Sequence, residues 1–387
     1  MSNYNNHHHH FSFFKNKELN HFYLAIAIMT FGELMISLFV PIYLYELGYA
    51  VHNIIFFYFL MSLGFLIFSY VGAKVVSKVG IKHSILLSAP FLIAYFIGLN
   101  FLPDYKWLFF ILPIIASFRF ILYNYGYHLN YICHSDRKSR GREISFIGAI
   151  VMIIYILAPL TGGIIASQSF TLLYFIGAGL LVLGTIPLFL TKEEYEKLKF
   201  TKKGLLKKIF SKRKKGELIS YSGYAIESII NVVIWPIFLI TILLTVDKTG
   251  MMVTFSMIAG LVAFYFIGKM TDKFNKVKIF RYATGFYAIS WIFRIFANSQ
   301  LRILFIDSYK NFSQIILHVP FWAHSCDLAV KENYFAFIVR REIIFRLCRI
   351  IIMPILMLIF FINYHPFTIS FIIAAVFSVG YAALEKK

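Results

Sequence analysis

Long apolar runs, each near the thickness of a bilayer, constrain this chain more than any other feature. They fall six on either side of residues 191–217, TKEEYEKLKFTKKGLLKKIFSKRKKGE, which hold eleven Lys and Arg in 27 positions. A spanning helix needs roughly 20 apolar residues. On that measure helices are predicted at 21–46, 52–76, 84–102, 106–133, 143–167 and 170–190, then at 218–245, 250–271, 279–298, 301–328, 336–362 and 366–384. Turn-rich connections such as LPDY at 102–105 and NYHP at 363–366 separate them. Membrane β-strands run only about 10 residues, which argues against a barrel. The expected divisions are a polar arm at 1–20, a first bundle at 21–190, the basic loop at 191–217 and a second bundle at 218–384.

Composition points the same way, because 59% hydrophobic and 14% charged residues in a chain of 387 are too apolar for a soluble fold. The net charge of +20 follows membrane topology and implies no nucleic-acid partner. Lys and Arg collect in cytoplasmic loops. Both ends (Lys15, Lys17; Lys386, Lys387) and the loops around 74–82, 137–142, 269–281 and 331–341 are basic. The opposite loops contribute only Lys106, Lys248 and Arg302 of 38 positive residues. A multi-pass protein of the cytoplasmic membrane is therefore expected, with both termini and 191–217 inside. Cys133, Cys326 and Cys348 lie near cytoplasmic helix ends and form no exported pair, so no disulfide is expected. The first apolar run is full-length and carries no cleavage site. The four histidines at 7–10 read as a polar tail or an added tag rather than a metal site. Within 200–215, Phe200, Leu205, Leu206, Ile209 and Phe210 alternate with lysines, the pattern of a helix lying on anionic lipid.

The two halves echo each other. Val40-Pro41-Ile42-Tyr43-Leu44 returns as Trp235-Pro236-Ile237-Phe238-Leu239, His128 as His324, and Arg142-Glu143-Ile144-Ser145-Phe146 as Arg341-Glu342-Ile343-Ile344-Phe345. The offset drifts slowly from 195 to 199, as a parallel duplication would leave it. Polar stripes at helical spacing sit on the first, fourth, seventh and tenth helices, and in hydrocarbon such stripes must face protein or water. The first carries Thr30, Glu33, Ser37 and Tyr45; the fourth carries Arg119, Tyr123, Tyr127, Asn130 and His134. The seventh carries Ser220, Tyr224, Glu227, Asn231 and Trp235; the tenth carries Asp307, Lys310, Gln314, His318, Trp322 and Ser325. The third, sixth and twelfth spans hold no charge.

Six plus six helices around a long basic loop resemble the major facilitator superfamily of secondary transporters. That resemblance implies an all-α membrane fold of 12 transmembrane helices, two six-helix bundles related by a parallel repeat. It implies a central cavity lined by the first helix of each triplet. The superfamily's loop motif, Gly-x-x-x-Asp-(Arg/Lys)-x-Gly-(Arg/Lys)-(Arg/Lys), is matched in part after the second and eighth helices. The first copy keeps Lys78 and Gly80 but has Ser77 at the acidic position; the second keeps Gly268, Asp272 and Lys273. A gating role follows from the resemblance, whereas a tight basic turn needs small residues in any case. Ala158-Pro159-Leu160-Thr161-Gly162-Gly163 is similar to the motif that the superfamily's antiporters carry in the fifth helix. Pro159, Gly162 and Gly163 equally suit a kink with close helix packing.

Glu33 and Arg119 lie deepest in their spans, where an unpaired charge costs at least a few kcal/mol. They are read as a proton-coupling or substrate pair, with a buried structural ion pair as the alternative. Glu227 nearly mirrors Glu33 and is the second candidate. Asn231, Tyr123, Asn130, Trp235, Gln314, His318 and Trp322 complete the expected cavity. Asp307 and Lys310 are expected to pair along one helix, with Arg294 as a further neutralising charge. Arg346 and Arg349 are expected to snorkel to the cytoplasmic interface. Nothing arranges His128 and His324 as metal ligands, and no cofactor motif or phosphate loop is present. The reading is thus a non-enzymatic, monomeric secondary transporter in the lipid bilayer, moving a small organic solute by proton-coupled efflux. Proton-coupled symport of a polar solute such as a sugar is the first alternative, and a non-transporting scaffold or receptor the second.

Overall fold

The chain turns its apolar runs into helices because hydrocarbon offers backbone N–H and C=O groups no partner except each other. The computed structural model describes residues 17–134, 140–198, 200–209, 215–273 and 276–384, and among them there is no strand. The helices are α1 (Lys17–Ser37), α2 (Val40–Glu46), α3 (Val51–Val79), α4 (Ile81–Asn100), α5 (Leu108–His134), α6 (Arg140–Gln168) and α7 (Phe170–Thr185). A short α8 (Lys202–Ile209) interrupts the basic segment. Then come α9 (Lys215–Ile229), α10 (Trp235–Leu243), α11 (Val246–Lys273), α12 (Lys276–Phe293), α13 (Gln300–Val330), α14 (Tyr334–Ile362) and α15 (Pro366–Ser378). Side chains of 131–150 and 262–277 lie outside the described residues. Cys133, His134, the Arg142–Phe146 echo and the motif residues Gly268, Asp272 and Lys273 fall there, as does the tract at 7–10.

Nine segments among the described residues are long and apolar enough to cross a membrane: α1 with α2, α3 to α7, α9 with α10, α14 and α15. Helices α11, α12 and α13, which occupy the eighth to tenth predicted spans, are not among them. Large apolar side chains such as Ile67, Phe110, Phe175, Phe305 and Phe361 stand on the outside, as a lipid-facing surface requires. Helix ends follow local chemistry. Ser169, Ser299 and Asn333 cap α7, α13 and α14 by accepting from backbone N–H groups three residues on. Asn363 closes α14 in the left-handed region at φ 58°, so the NYHP segment turns the chain back as expected.

Proline explains the matched irregularities in the echoed helices. It lacks an N–H and its ring clashes with the carbonyl four residues earlier. At Pro41 the helix breaks, α1 ending at Ser37 and α2 starting at Val40. At Pro236 the ladder instead widens into a π-helical turn, Ile230–Ile234.

Helix α1 packs on α6 and α7, α5 on α3 and α4, α9 on α14 and α15, and α13 on α11 and α12. Contacts between the two parts of the chain run through α6 with α11, α3 with α14 and α2 with α10. Small residues let these backbones approach. A Cβ at Gly162 would stand 2.1 Å from the Met35 carbonyl oxygen, and one at Gly163 would stand 3.1 Å from the Gly250 Cα. Thr254 Oγ1 donates to the Ile156 carbonyl at 2.7 Å beside this crossing. Gly162 and Gly163 are thus accounted for by packing.

One expectation fails at α8. The helix forms, but Leu205 and Ile209 are buried and α8 packs against α14, so those two side chains face protein instead of lipid. Phe200 joins them, its ring 5.6 Å from that of Phe335. Leu206 and Phe210 lie outside the described side chains.

Overpacking at such a crossing costs about 1–3 kcal/mol. Gly162→Ala is therefore expected to lower the melting temperature in detergent. Gly179→Ala, at a position with no atom within 4 Å of the added Cβ, serves as the control. Equal melting of the two variants would contradict this packing.

Candidate coupling and substrate site

Two deep charges placed on separate apolar helices must find each other or water. Arg119 of α5 donates from Nη2 to the Glu33 carboxylate of α1, forming an ion pair. The guanidinium is fully buried, while the Glu33 side chain is 20% exposed, so the carboxylate is the accessible member. Tyr123 lies one turn along α5 with its ring centroid 3.8 Å from the guanidinium carbon, a cation–π contact. Tyr127 stacks on Tyr123 at 5.7 Å. Tyr155 of α6 stands within electrostatic reach of Glu33, Tyr123 and Tyr224, linking the site to α9. Arg119 Nε and Nη1 have no hydrogen-bond partner among the described residues.

The second part of the chain solves the same problem with more groups. Glu227 is buried and accepts hydrogen bonds from the hydroxyls of Tyr287 and, at 3.2 Å, Tyr381. Tyr381 in turn meets His318 Nε2 at 3.1 Å. A chain of exchangeable protons therefore runs from half-buried His318 through Tyr381 and Glu227 to Tyr287. Arg294 pairs with Asp307 at 2.7 Å and donates to Asn231 at 3.0 Å, and Trp235 donates to Asp307 at 3.3 Å while stacking on Arg294. Arg294 thus neutralises Asp307 as expected. Lys310 does not pair with Asp307 and donates instead to Asn311 at 3.3 Å. Trp235, 3% exposed, is committed to this network and is not available as an open stacking face.

Among the remaining expected residues, Trp322 is half-buried, 5.1 Å from the Tyr224 ring, with Arg341 over its face at 4.9 Å. Gln314 is half-buried and Asn130 buried. Sequence reasoning passed over Tyr287, which shares its predicted span with Tyr282, and Tyr381, the one tyrosine of the last span. It also misplaced Arg346 and Arg349. Arg346 does not snorkel: it is 7% exposed, with its guanidinium 4.3 Å from the Phe65 ring of α3. Arg349 donates to Ser228 Oγ at 2.8 Å. Among the described residues no group of three His, Cys, Asp or Glu side chains is placed to hold a metal.

The loop motif after α3 has a local use. Gly80 takes φ 94°, a left-handed value that glycine tolerates, and starts α4 immediately. Glu193 fills the space where a Cβ would be and accepts from the first-turn N–H groups of Lys82 and His83, each at 3.0 Å. A carboxylate suits a helix N-terminus. Ser77 accepts from the Leu198 N–H at 3.0 Å, and Glu196 accepts from the Tyr334 hydroxyl of α14 at 2.6 Å. The stretch after α7 is therefore strapped across both parts of the chain. Lys78 is exposed there. Losing the Ser77 acceptor removes about 1 kcal/mol of hydrogen bonding. Ser77→Ala should accelerate amide exchange at Leu198 by about fivefold. Unchanged protection there would contradict the strap.

No family model matches this sequence, and no curated protein matches it. Among solved structures it is similar to the crystal structure of a D-xylose-proton symporter, at 13% identity. The likeness covers 93% of this chain and 96% of that one, with a TM-score of 0.68. The chain is a multi-pass membrane protein, helical among its described residues, with the fold of that symporter.

Proposed function

We propose that this protein is a proton-coupled secondary transporter working by alternating access between its halves, 21–190 and 218–384. Helices α11 to α13 complete 12 spans in this reading, and the 191–217 segment and both termini face the cytoplasm. Positive charge along the loops supports that orientation. The observation that carries the function is the Glu33–Arg119 pair, a mid-span carboxylate still 20% exposed against a fully buried guanidinium. A purely structural pair gains nothing from an open carboxylate. A coupling site needs one, because the proton must arrive and leave.

Coupling follows from differential affinity: a proton shifts the conformational equilibrium only if the two states hold it differently. Movement between halves that changes the separation or hydration of Glu33 and Arg119 supplies that difference. Symport is favoured over export here. Gly162 and Gly163, which alone pointed to export, are engaged in packing, and a structural neighbour is a symporter.

Glu33→Gln mimics the protonated acid and should keep the fold. In proteoliposomes loaded and tested with D-xylose, D-gluconate and D-glucose 6-phosphate, wild-type protein should accumulate one of these under an inward proton gradient. The variant should exchange it without accumulating it. Accumulation by the variant with wild-type pH dependence, or proton-driven flux of none of the three, would overturn this function. Flux driven only by the opposite gradient would mark an exporter.

A further inference from the structure

Charge does not balance where the two parts of the chain meet. Arg119 of α5 and Arg346 of α14 approach the same ring, Phe120, at 5.9 and 5.7 Å from its centroid. Arg341 and Arg349 flank Arg346 on α14. Against these four stand three carboxylates: Glu33, which takes one donor of Arg119, Glu342, which takes one of Arg341 at 3.4 Å, and Glu227, in electrostatic reach of Arg349 but held by two tyrosine hydroxyls. Among the described residues neither Arg346 nor Arg349 has a carboxylate at ion-pair distance. Glu342 lies one turn from Arg346 on the same helix. Tyr125 and Tyr224 are the other titratable groups in electrostatic reach of Arg346.

Donors are in surplus as well. A guanidinium carries five N–H groups in a rigid fork. Arg119 Nε and Nη1, Arg341 Nε and Arg346 Nε are buried and bonded to nothing among the described residues. The aromatic faces of Phe65, Tyr123 and Trp322 compensate part of the charge but accept no conventional hydrogen bond. Surplus buried cations with open N–H forks are what an oxyanion satisfies, bidentate and charge-assisted.

We propose that Arg119 and Arg346, the two guanidinium groups beside Phe120, bind the anionic group of the transported solute, a carboxylate or phosphate on an organic body. This rests on the transporter reading and names its substrate class. Coupling then has a direct origin. Glu33 and the solute anion compete for Arg119; protonating Glu33 releases the guanidinium to the solute. Proton and anion therefore bind with positive cooperativity, which is reciprocal by linkage and suits symport. Among the described residues the groups facing Glu33 are Arg119 and Tyr123 of α5 and Tyr155 of α6. On the α7 side, Gly177 and Leu180 lie against the adjacent Gly32.

The test is binding to purified wild-type protein, by calorimetry, of D-gluconate, D-glucose 6-phosphate and inorganic phosphate, with D-xylose and D-glucose as neutral counterparts. At least one anion should bind more tightly than its neutral counterpart, and more tightly still as pH falls. Which anion binds separates carboxylate from phosphate recognition. Arg346→Gln should weaken that binding about tenfold or more, while Arg346→Lys retains part of it. Glu33→Gln should bind the anion at least as tightly as wild type and lose the pH dependence. Should Arg346→Gln fail to fold, Arg349→Gln is expected to weaken binding several-fold. Neutral sugar bound as well as every anion, no anion bound, or anion affinity unchanged in the arginine variants would each overturn the proposal. Tight D-xylose binding with proton-driven flux would do so while leaving the transporter reading intact.

Discussion

Ionised groups in a low-dielectric interior cost several kcal/mol each unless another charge or a hydrogen-bonding shell replaces water. The arrangement of this molecule follows from that penalty. Glu33 and Arg119 cancel each other across α1 and α5, and Arg294 and Asp307 do so between α13 and the end of α12. Arg340 pairs with Glu217 at 2.8 Å where α14 meets α9. Helices whose apolar faces would slide freely in lipid are held in register by these pairs. Glu227 follows a different route, with two phenols in place of a cation.

Around those charges the packing is made by small residues and proline. Gly162, Gly163 and Gly250 let α1, α6 and α11 touch backbone to backbone. Pro41 and Pro236 interrupt equivalent helices, leaving a break in one and a π-helical turn in the other. The π-helical turn contains Asn231, which accepts from Arg294. Such turns re-aim side chains without ending the helix. Backbone irregularity and buried charge therefore coincide in the second half.

Much of this was legible in the sequence. Apolar run length set the helices to within a few residues, since hydrocarbon thickness admits few alternatives. Glu33 and Arg119 were legible as a pair because both are deep and each lacks another partner on its own helix. Tyr287 and Tyr381 were not, because a tyrosine outside the polar stripes reads as ordinary packing. Arg346 was misread for a different reason. Its distance from the helix end permits snorkelling, but only tertiary contacts reveal that its helix faces α3 and not lipid. The same missing information put the α8 apolar face on lipid when α14 covers Leu205 and Ile209. Ser77 departs from the acidic loop motif, and its use as an acceptor for Leu198 depends on a segment 121 residues away.

The central claim is that Glu33, released from Arg119, is the group that takes the transported proton. Infrared difference spectroscopy across an acid titration reads that group without knowledge of the substrate, through the carbonyl stretch of a protonated carboxyl. Surface carboxyls contribute a band common to all variants on acidification; wild-type protein and Glu227→Gln are expected to show a further component of it that Glu33→Gln lacks. That component retained in Glu33→Gln and lost in Glu227→Gln would contradict the claim and move the proton to the phenol-bound carboxylate of α9.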